Sequence, residues 1–463
     1  MPATDDAAAL LRYRAAREIL RAQYDAIPAG ERVRLAKKTS NLFRMRDGAT
    51  APGLDVAAFD GVLSIDPEAR TADVLGMTTY EHLVDATLPY GLMPLVVPEL
   101  KTITLGGAVS GLGIESSSFR NGCPHESVLE LEVMTGDGRI VTASREESAD
   151  LLEGFPNSYG TLGYALRLTI ELEPVQPFVR LAHVRFDDAE EYFRVVAEVC
   201  ASREHPAVAG RHVEFVDGTV FGPDELYLTL GTFEADAPYV SDYTGREIYY
   251  RSVQSRMEDH LTVRDYLWRW DTDWFWCSRA LGAQHPLVRP LLPRSVLRSD
   301  VYWKLVGFER RHGWLTAARE RMGAAPTEAV IQDVEVPVER AAEFLRVFQN
   351  EIGISPVWMC PVRQRDADRR WELYALDPST TYVNFGFWAS VELGPGQVDG
   401  VHNRRIERLV ADLGGRKSLY SSSYYDEDEF WATYNGPVYE LLKKKYDPDG
   451  RLLDLYEKCV TAR

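Results

Sequence analysis

A single glycine- and serine-rich stretch, Pro98 to Gly122 (PELKTITLGGAVSGLGIESSSFRNG), constrains this chain most. It holds five glycines and four serines. Gly106, Gly107, Gly111 and Gly113 let the backbone pass close to another body and present its amides. Ser110, Ser116, Ser117 and Ser118 add hydroxyl donors. Such a loop suits a pyrophosphate; a glycine-rich turn used only for packing explains the same composition. Gly111 to Ser116 opens like a dinucleotide fingerprint, G-x-G-x-x-S. Glu130 and Glu132 lie at about the twenty-residue distance of a ribose-binding acid. That fingerprint must open a helix, however, and Asn121-Gly122 and Cys123-Pro124 forbid a long one here. Glu130 and Glu132 alternate with Leu129, Leu131 and Val133, which predicts the solvent face of a strand. The loop therefore serves a dinucleotide in a non-Rossmann way.

The rest of the chain bounds the setting. At 463 residues it is too long for one core, so two or three domains are expected. A net charge of −18 argues against nucleic acid as partner and against electrostatic docking on anionic lipid. Cys123, Cys200, Cys277, Cys360 and Cys459 are far apart and odd in number. They form no disulfide framework or thiolate zinc site, no metal site is expected, and a reducing cytoplasm fits. No apolar run is long enough to span a bilayer, and the first residues do not resemble a signal peptide.

The periodicity predicts a helix over 6–25, strands at 62–65 and 71–75, and a helix over 79–88. A hairpin follows, from Val128–Met134 and Ile140–Thr142 around Gly136-Asp137-Gly138, and then a strand from Tyr164 to Leu172. Pro174 and Pro177 mark a domain boundary. Beyond them two helix-rich units separated by strands are expected. Their helices fall at 188–202 and 338–350, their strands at 226–233 and 382–388. The C-terminal stretch from Val438 reads as helix, turn, second helix.

PELKTITLGGAVSGLGIESSSFRNG, then LELEVMTGDGRIVTAS, then GTLGYALRLTIELEP together resemble the FAD domain of the vanillyl-alcohol oxidase / p-cresol methylhydroxylase (PCMH) superfamily. Within it, GIESSSFRNG and the C-terminal LYSSSYYDEDEFWATYNGPVYELLKKKY are similar to the delta(24)-sterol reductases. The resemblance implies an α+β fold, a two-lobed PCMH-type FAD-binding domain with an inserted α+β cap. The domains would be 1–176 for FAD, 177–410 for the cap, and 411–463 packing back on the FAD domain. It places Lys38, Thr39, Ser40, Asn41, Leu42 and Phe43 in a first phosphate loop. Pro98, Thr104, Gly106, Gly107, Ser110, Gly111, Gly113, Glu115, Ser116 and Ser117 fall in the second. Gly160, Gly163 and Tyr164 would lie against the adenine and its ribose. The first loop lacks the histidine that tethers flavin in many superfamily members, so the FAD is expected to be non-covalent.

A flavin supplies hydride chemistry, and the protein supplies orientation and a proton. Reducing an isolated alkene needs a well-placed acid. Tyr420, Tyr424 and Lys417 are the catalytic candidates, with His402 and Glu115 weighed beside them. Glu115 is better read as holding the serine loop and His402 as exposed. Any one tyrosine is more often a buried hydroxyl serving the backbone. The segment YLWRWDTDWFW carries Trp268, Trp270, Trp274 and Trp276, four of the ten tryptophans. It suits walls for an elongated apolar substrate, an insertion at a lipid interface, or a plain aromatic core.

The expected function is FAD-dependent reduction of a lipid carbon–carbon double bond, in a sterol side chain or an unsaturated or methylene-branched acyl chain. NADPH or NADH is the expected donor. The enzyme is expected in the cytoplasm, or peripherally at the inner face of the membrane, meeting lipid transiently. An FAD-dependent alcohol or sugar oxidase or dehydrogenase, and a flavin-free lipid-binding protein of the same fold, are the alternatives.

Overall fold

The computed structural model describes residues 3–37, 43, 52–312, 321, 323 and 325–461. A 23-residue helix, Ala3–Asp25, comes first, followed by the parallel pair β1 (Arg34–Ala36) and β2 (Gly53–Asp55). The first large sheet uses β3 (Val62–Asp66), β4 (Thr71–Leu75), β5 (Leu92–Pro94), β6 (Val128–Thr135), β7 (Ile140–Ser144) and β8 (Gly163–Pro174). Its order is β3-β4-β8-β6-β7, with β5 on β8. The second has eight antiparallel strands: β9 (Phe178–Phe186), β10 (Phe215–Gly222), β11 (Glu225–Glu234), β12 (Glu258–Thr262), β13 (Thr327–Pro337), β14 (Val357–Val362), β15 (Tyr382–Glu392) and β16 (Arg416–Lys417). Their order is β12-β9-β11-β10-β14-β15-β13-β16. The fold is α+β, and the chain passes from one sheet to the other between Pro174 and Phe178.

Two differences from the sequence-based expectation lie in this second region and in the C-terminal segment after it. It is not a pair of helix-rich units but one sheet carrying two main helices, Ala189–Ser202 and Val338–Glu351. Its strands alternate: Val334 and Val336, Phe385 and Phe387 enter the core beneath those helices, and the intervening residues turn to the opposite face. At the C-terminus the helix Gly436–Tyr446 forms, but the expected second helix is a single five-residue turn, Glu457–Thr461.

A third difference is Glu132, expected to face solvent. It is buried beneath the N-terminal helix, where it accepts from the Tyr13 hydroxyl at 2.7 Å and pairs with Arg17 and Arg167, each at 2.9 Å. The helix covers that face of the sheet, and the acid is matched by cations rather than by water. No helix among the described residues is long and apolar enough to cross a membrane.

Candidate active-site cleft

A cleft between the glycine-rich segment and the open face of the second sheet spans about 1230 Å3, the open solvent at its mouth included. One wall is Pro98 to Glu115. Thr104 caps the short helix Leu105–Ser110 by accepting from the Gly107 amide at 3.2 Å. The glycines there do different work. Gly106 faces the first sheet: a Cβ would stand 2.7 Å from the Gly76 carbonyl, so only glycine lets helix and sheet meet. Gly107, Gly111 and Gly113 line the cleft itself. Among the described residues nothing accepts from the amides of Leu112, Gly113 and Ile114. Unpaired amides along an open groove are the donor set that a diphosphate needs.

The serines after Glu115 point elsewhere. Ser116 meets the Tyr266 hydroxyl at 2.7 Å, Ser117 donates to the Leu95 carbonyl at 2.8 Å, and Ser118 accepts from the Glu115 amide at 2.9 Å. They pin the back of the loop instead of donating into the cleft. Ser110 and Pro98 line it. Glu115 also lines it and accepts from the Glu99 amide at 2.8 Å, tying the two ends of the wall together. Burial and the neighbouring Glu99 push the Glu115 carboxyl well up. Glu99 is itself paired with Arg269 at 3.0 Å, and Arg269 with Asp217 at 2.7 Å.

Gly160, Gly163 and Tyr164 are not among the lining residues. Gly160 and Gly163 have positive φ, and a Cβ on Gly163 would press to 2.5 Å on the Met134 carbonyl. Their neighbour Tyr159 reaches the cleft instead. Of the first loop, Phe43 lines the cleft and stacks on Trp274 at 5.5 Å; Lys38 to Leu42 lie outside the described residues.

The opposite wall is made of side chains from separated strands: Trp358 on β14, Asn384 and Trp388 on β15, Asp333 on β13, with Ser418 and Tyr420 after β16. Trp274 and Phe275 join it from a turn in which both have positive φ, 47° and 59°. Bulky residues rarely adopt that backbone, and here it directs two successive rings into one recess. Phe275 stacks on Trp388 at 4.3 Å. Of the four tryptophans singled out in the sequence, only Trp274 lines the cleft. Trp268 is buried elsewhere, Trp270 donates to Asp217 at 3.3 Å, and Trp276 packs behind Trp388.

Of the proposed acids, Tyr420 is at the cleft. Its hydroxyl accepts from Trp388 Nε1 at 3.0 Å, and burial together with the neighbouring Asp333 carboxyl pushes the phenol well up. Lys417 is not brought there. Alternation along β16 turns it inward to Glu407 at 2.9 Å and the Ser422 carbonyl at 2.6 Å, a structural ion pair. Tyr424 bonds Asp399 at 3.2 Å, outside the lining set. His402 is half-buried at the start of the helix Val401–Asp412, its amide on Glu328 at 3.0 Å.

Sequence reasoning passed over Asp333, Asn384, Trp358, Trp388, Glu99 and Arg269. One signal was available: a polar Asn384 and a Gly386 within the very apolar run YVNFGFW. A second, wider surface depression of about 1600 Å3 contains Arg256 and Arg294. These are already paired with Glu247 at 3.0 Å and Asp242 at 2.6 Å.

Comparison with known proteins gives this geometry a family. A family model for an FAD binding domain matches residues 9–144, which include the whole glycine-rich wall. The chain belongs to the FAD-dependent oxidoreductases of the vanillyl-alcohol oxidase / PCMH type. Among its relatives is the delta(24)-sterol reductase of Arabidopsis thaliana, 26% identical over 89% of this chain and 77% of that protein. The Homo sapiens delta(24)-sterol reductase is 25% identical over 87% and 77%. Cytokinin dehydrogenase 6 of Oryza sativa subsp. japonica is 31% identical over 83% and 72%. The open amides of Leu112 to Ile114 and the bare glycine surface beside them fit FAD.

Proposed function

We propose that this enzyme reduces a carbon–carbon double bond in an elongated apolar lipid, a sterol side chain or an unsaturated or methylene-branched acyl chain, drawing electrons from NADPH or NADH. The observation that carries the reading is the second wall. Phe43, Trp274, Phe275, Trp358 and Trp388 surround a recess into which two phenols, Tyr159 and Tyr420, reach, and Tyr420 is the one held by Trp388 Nε1. Aromatic faces exclude water and grip a hydrocarbon chain without asking it for hydrogen bonds. FAD, bound along Thr104 to Ile114, supplies hydride chemistry. Tyr420 holds the proton for the second alkene carbon, and Trp388 Nε1 steadies the phenolate oxygen left behind. No histidine or cysteine stands among the described lining residues, which supports a dissociable flavin.

The same reading has the enzyme working in the cytoplasm or at the inner face of a membrane, meeting lipid transiently. Five cysteines without disulfides support a reducing compartment.

The test is anaerobic reduction of the flavin with NADPH or NADH, followed by addition of lipid alkenes or of oxygen. Re-oxidation by an alkene, with the saturated lipid recovered, is the expected result. Fast re-oxidation by oxygen with peroxide release, and none by any alkene, overturns the proposal. That outcome would favour an alcohol or sugar oxidase or dehydrogenase, the reading that the likeness to a cytokinin dehydrogenase supports.

A further inference from the structure

Asp333 sits behind the proposed proton donor in a geometry that packing alone does not require. On β13 it lies directly opposite Gly386 of β15. The missing side chain matters: a Cβ on Gly386 would stand 2.5 Å from Asp333 Oδ1, 2.8 Å from the Trp388 ring and 3.2 Å from the Trp358 ring. Glycine thus opens the space in which a carboxyl and two indoles converge on the cleft. Asn384 Nδ2 donates to Asp333 Oδ1 at 3.0 Å. The Tyr420 hydroxyl, already accepting from Trp388 Nε1, lines the same cleft beside that carboxyl.

We propose that Asp333 is the positioning residue that switches Tyr420 between a parked and a delivering state. Ionised, the carboxylate takes the Tyr420 O–H as its own hydrogen bond and turns it from the cleft. Protonated, it donates to the Tyr420 oxygen, which frees the phenol O–H to face the substrate and makes it more acidic. This rests on the reading of Tyr420 as proton donor to an alkene. One alkene carbon receives hydride from the reduced cofactor, which the nicotinamide donor has loaded. At the other carbon the π pair takes the Tyr420 proton, forming C–H as the O–H bond breaks. The Asp333 proton passes to the Tyr420 oxygen, and the carboxylate left behind is reprotonated from water.

The surroundings leave Asp333 as the group that titrates in the useful range. Burial pushes its carboxyl up to about 6. Glu335, next on the same face of β13, bonds Ser418 and Tyr374 and is pushed up to about 8, so it is neutral while Asp333 titrates. Glu99, across the cleft, is also raised by burial. Tyr159 faces Tyr420, and Lys37 lines the same cleft as a cation.

The experiment has two arms on the FAD-loaded enzyme. Infrared difference titration of wild type against Asp333→Asn should show a protonated-carboxyl band with a midpoint near pH 6. The band should vanish in Asp333→Asn and move in Tyr420→Phe. Asn384→Ala, which removes the donor to Asp333, should move the midpoint upward. In the second arm, alkene-driven flavin re-oxidation should fall about tenfold per pH unit above the Asp333 midpoint. Asp333→Asn, whose amide donates at every pH, should remove that slope. An Asp333 band indifferent to Tyr420→Phe and to Asn384→Ala, or a wild-type slope surviving in Asp333→Asn, overturns the switch. A wild type that re-oxidises with no alkene overturns the reductase reading instead, and the infrared arm, which needs no substrate, still decides whether Asp333 and Tyr420 are coupled.

Discussion

The two walls of the cleft are built on opposite principles. The glycine-rich wall comes from one contiguous segment and reaches the cleft chiefly with backbone: Gly107, Gly111, Gly113 and the open amides of Leu112 to Ile114. The facing wall is assembled from β13, β14, β15, the Trp274 turn and the segment after β16, and reaches it with indoles, a phenol and a carboxyl. A cofactor of fixed shape is met by a local loop that any chain can carry. The facing wall is made of side chains that only strand pairing can bring together. Substitutions on the first wall should therefore change flavin uptake, and those on the second should change what the reduced flavin can do.

The sharpest contrast is within one short segment. Tyr420→Phe should slow alkene-driven re-oxidation by roughly 10²-fold or more, the range of a lost general acid. FAD content should stay that of the wild type by absorbance. Tyr424→Phe, whose hydroxyl bonds Asp399, should change the same rate by less than about twofold. Equal losses in both variants would break the distinction between walls, because Tyr424 does not reach the second one.

A smaller effect is expected on the glycine side. At Gly107 a Cβ would meet only Thr104 Oγ1, at 2.8 Å, and the position is open to the cleft. Gly107→Val should leave folding nearly intact while crowding the flavin path. A loss of about 1–3 kcal/mol of FAD affinity, on the scale of overpacking, should appear in a fluorescence titration. Unchanged affinity would mean that the dinucleotide does not follow this wall.

A further effect is on stability and comes from behind the aromatic wall. Burial raises the Glu335 carboxyl to about 8, so the folded state binds its proton more tightly than the unfolded chain does. Its contribution is fully present below the usual carboxylate range and is lost as pH rises through about 8, by at most about 1.4 kcal/mol per pH unit. Denaturant midpoints should fall from pH 5 to pH 9 in wild type and fall less steeply in Glu335→Gln. Identical slopes would show that Glu335 titrates as it does in the unfolded chain.

Legibility in the sequence followed the same division. The hairpin of β6 and β7, the helix Ala189–Ser202 and the strand Glu225–Glu234 were all readable, because each rests on local periodicity and turn residues. Ser116 and Ser117 were read as donors to the cofactor, yet their hydroxyls serve Tyr266 and Leu95. Composition marks a polar loop but not which way each side chain turns. Asp333 and Glu335 alternate with buried valines, as solvent-facing acids do, and nothing local shows that Tyr374, Ser418 and Tyr420 stand over that face.

What the sequence determined by itself was a loop suited to a dinucleotide, since backbone amides are presented by local geometry; its resemblance to a known family, extended over most of the chain, made that dinucleotide FAD. What only the tertiary structure decided was the reacting face. Which of ten tryptophans line the cleft, which tyrosine reaches it and which carboxyl stands beside it depend on register between strands far apart in the chain, and a shift of one residue would turn the strand-borne side chains to the other side.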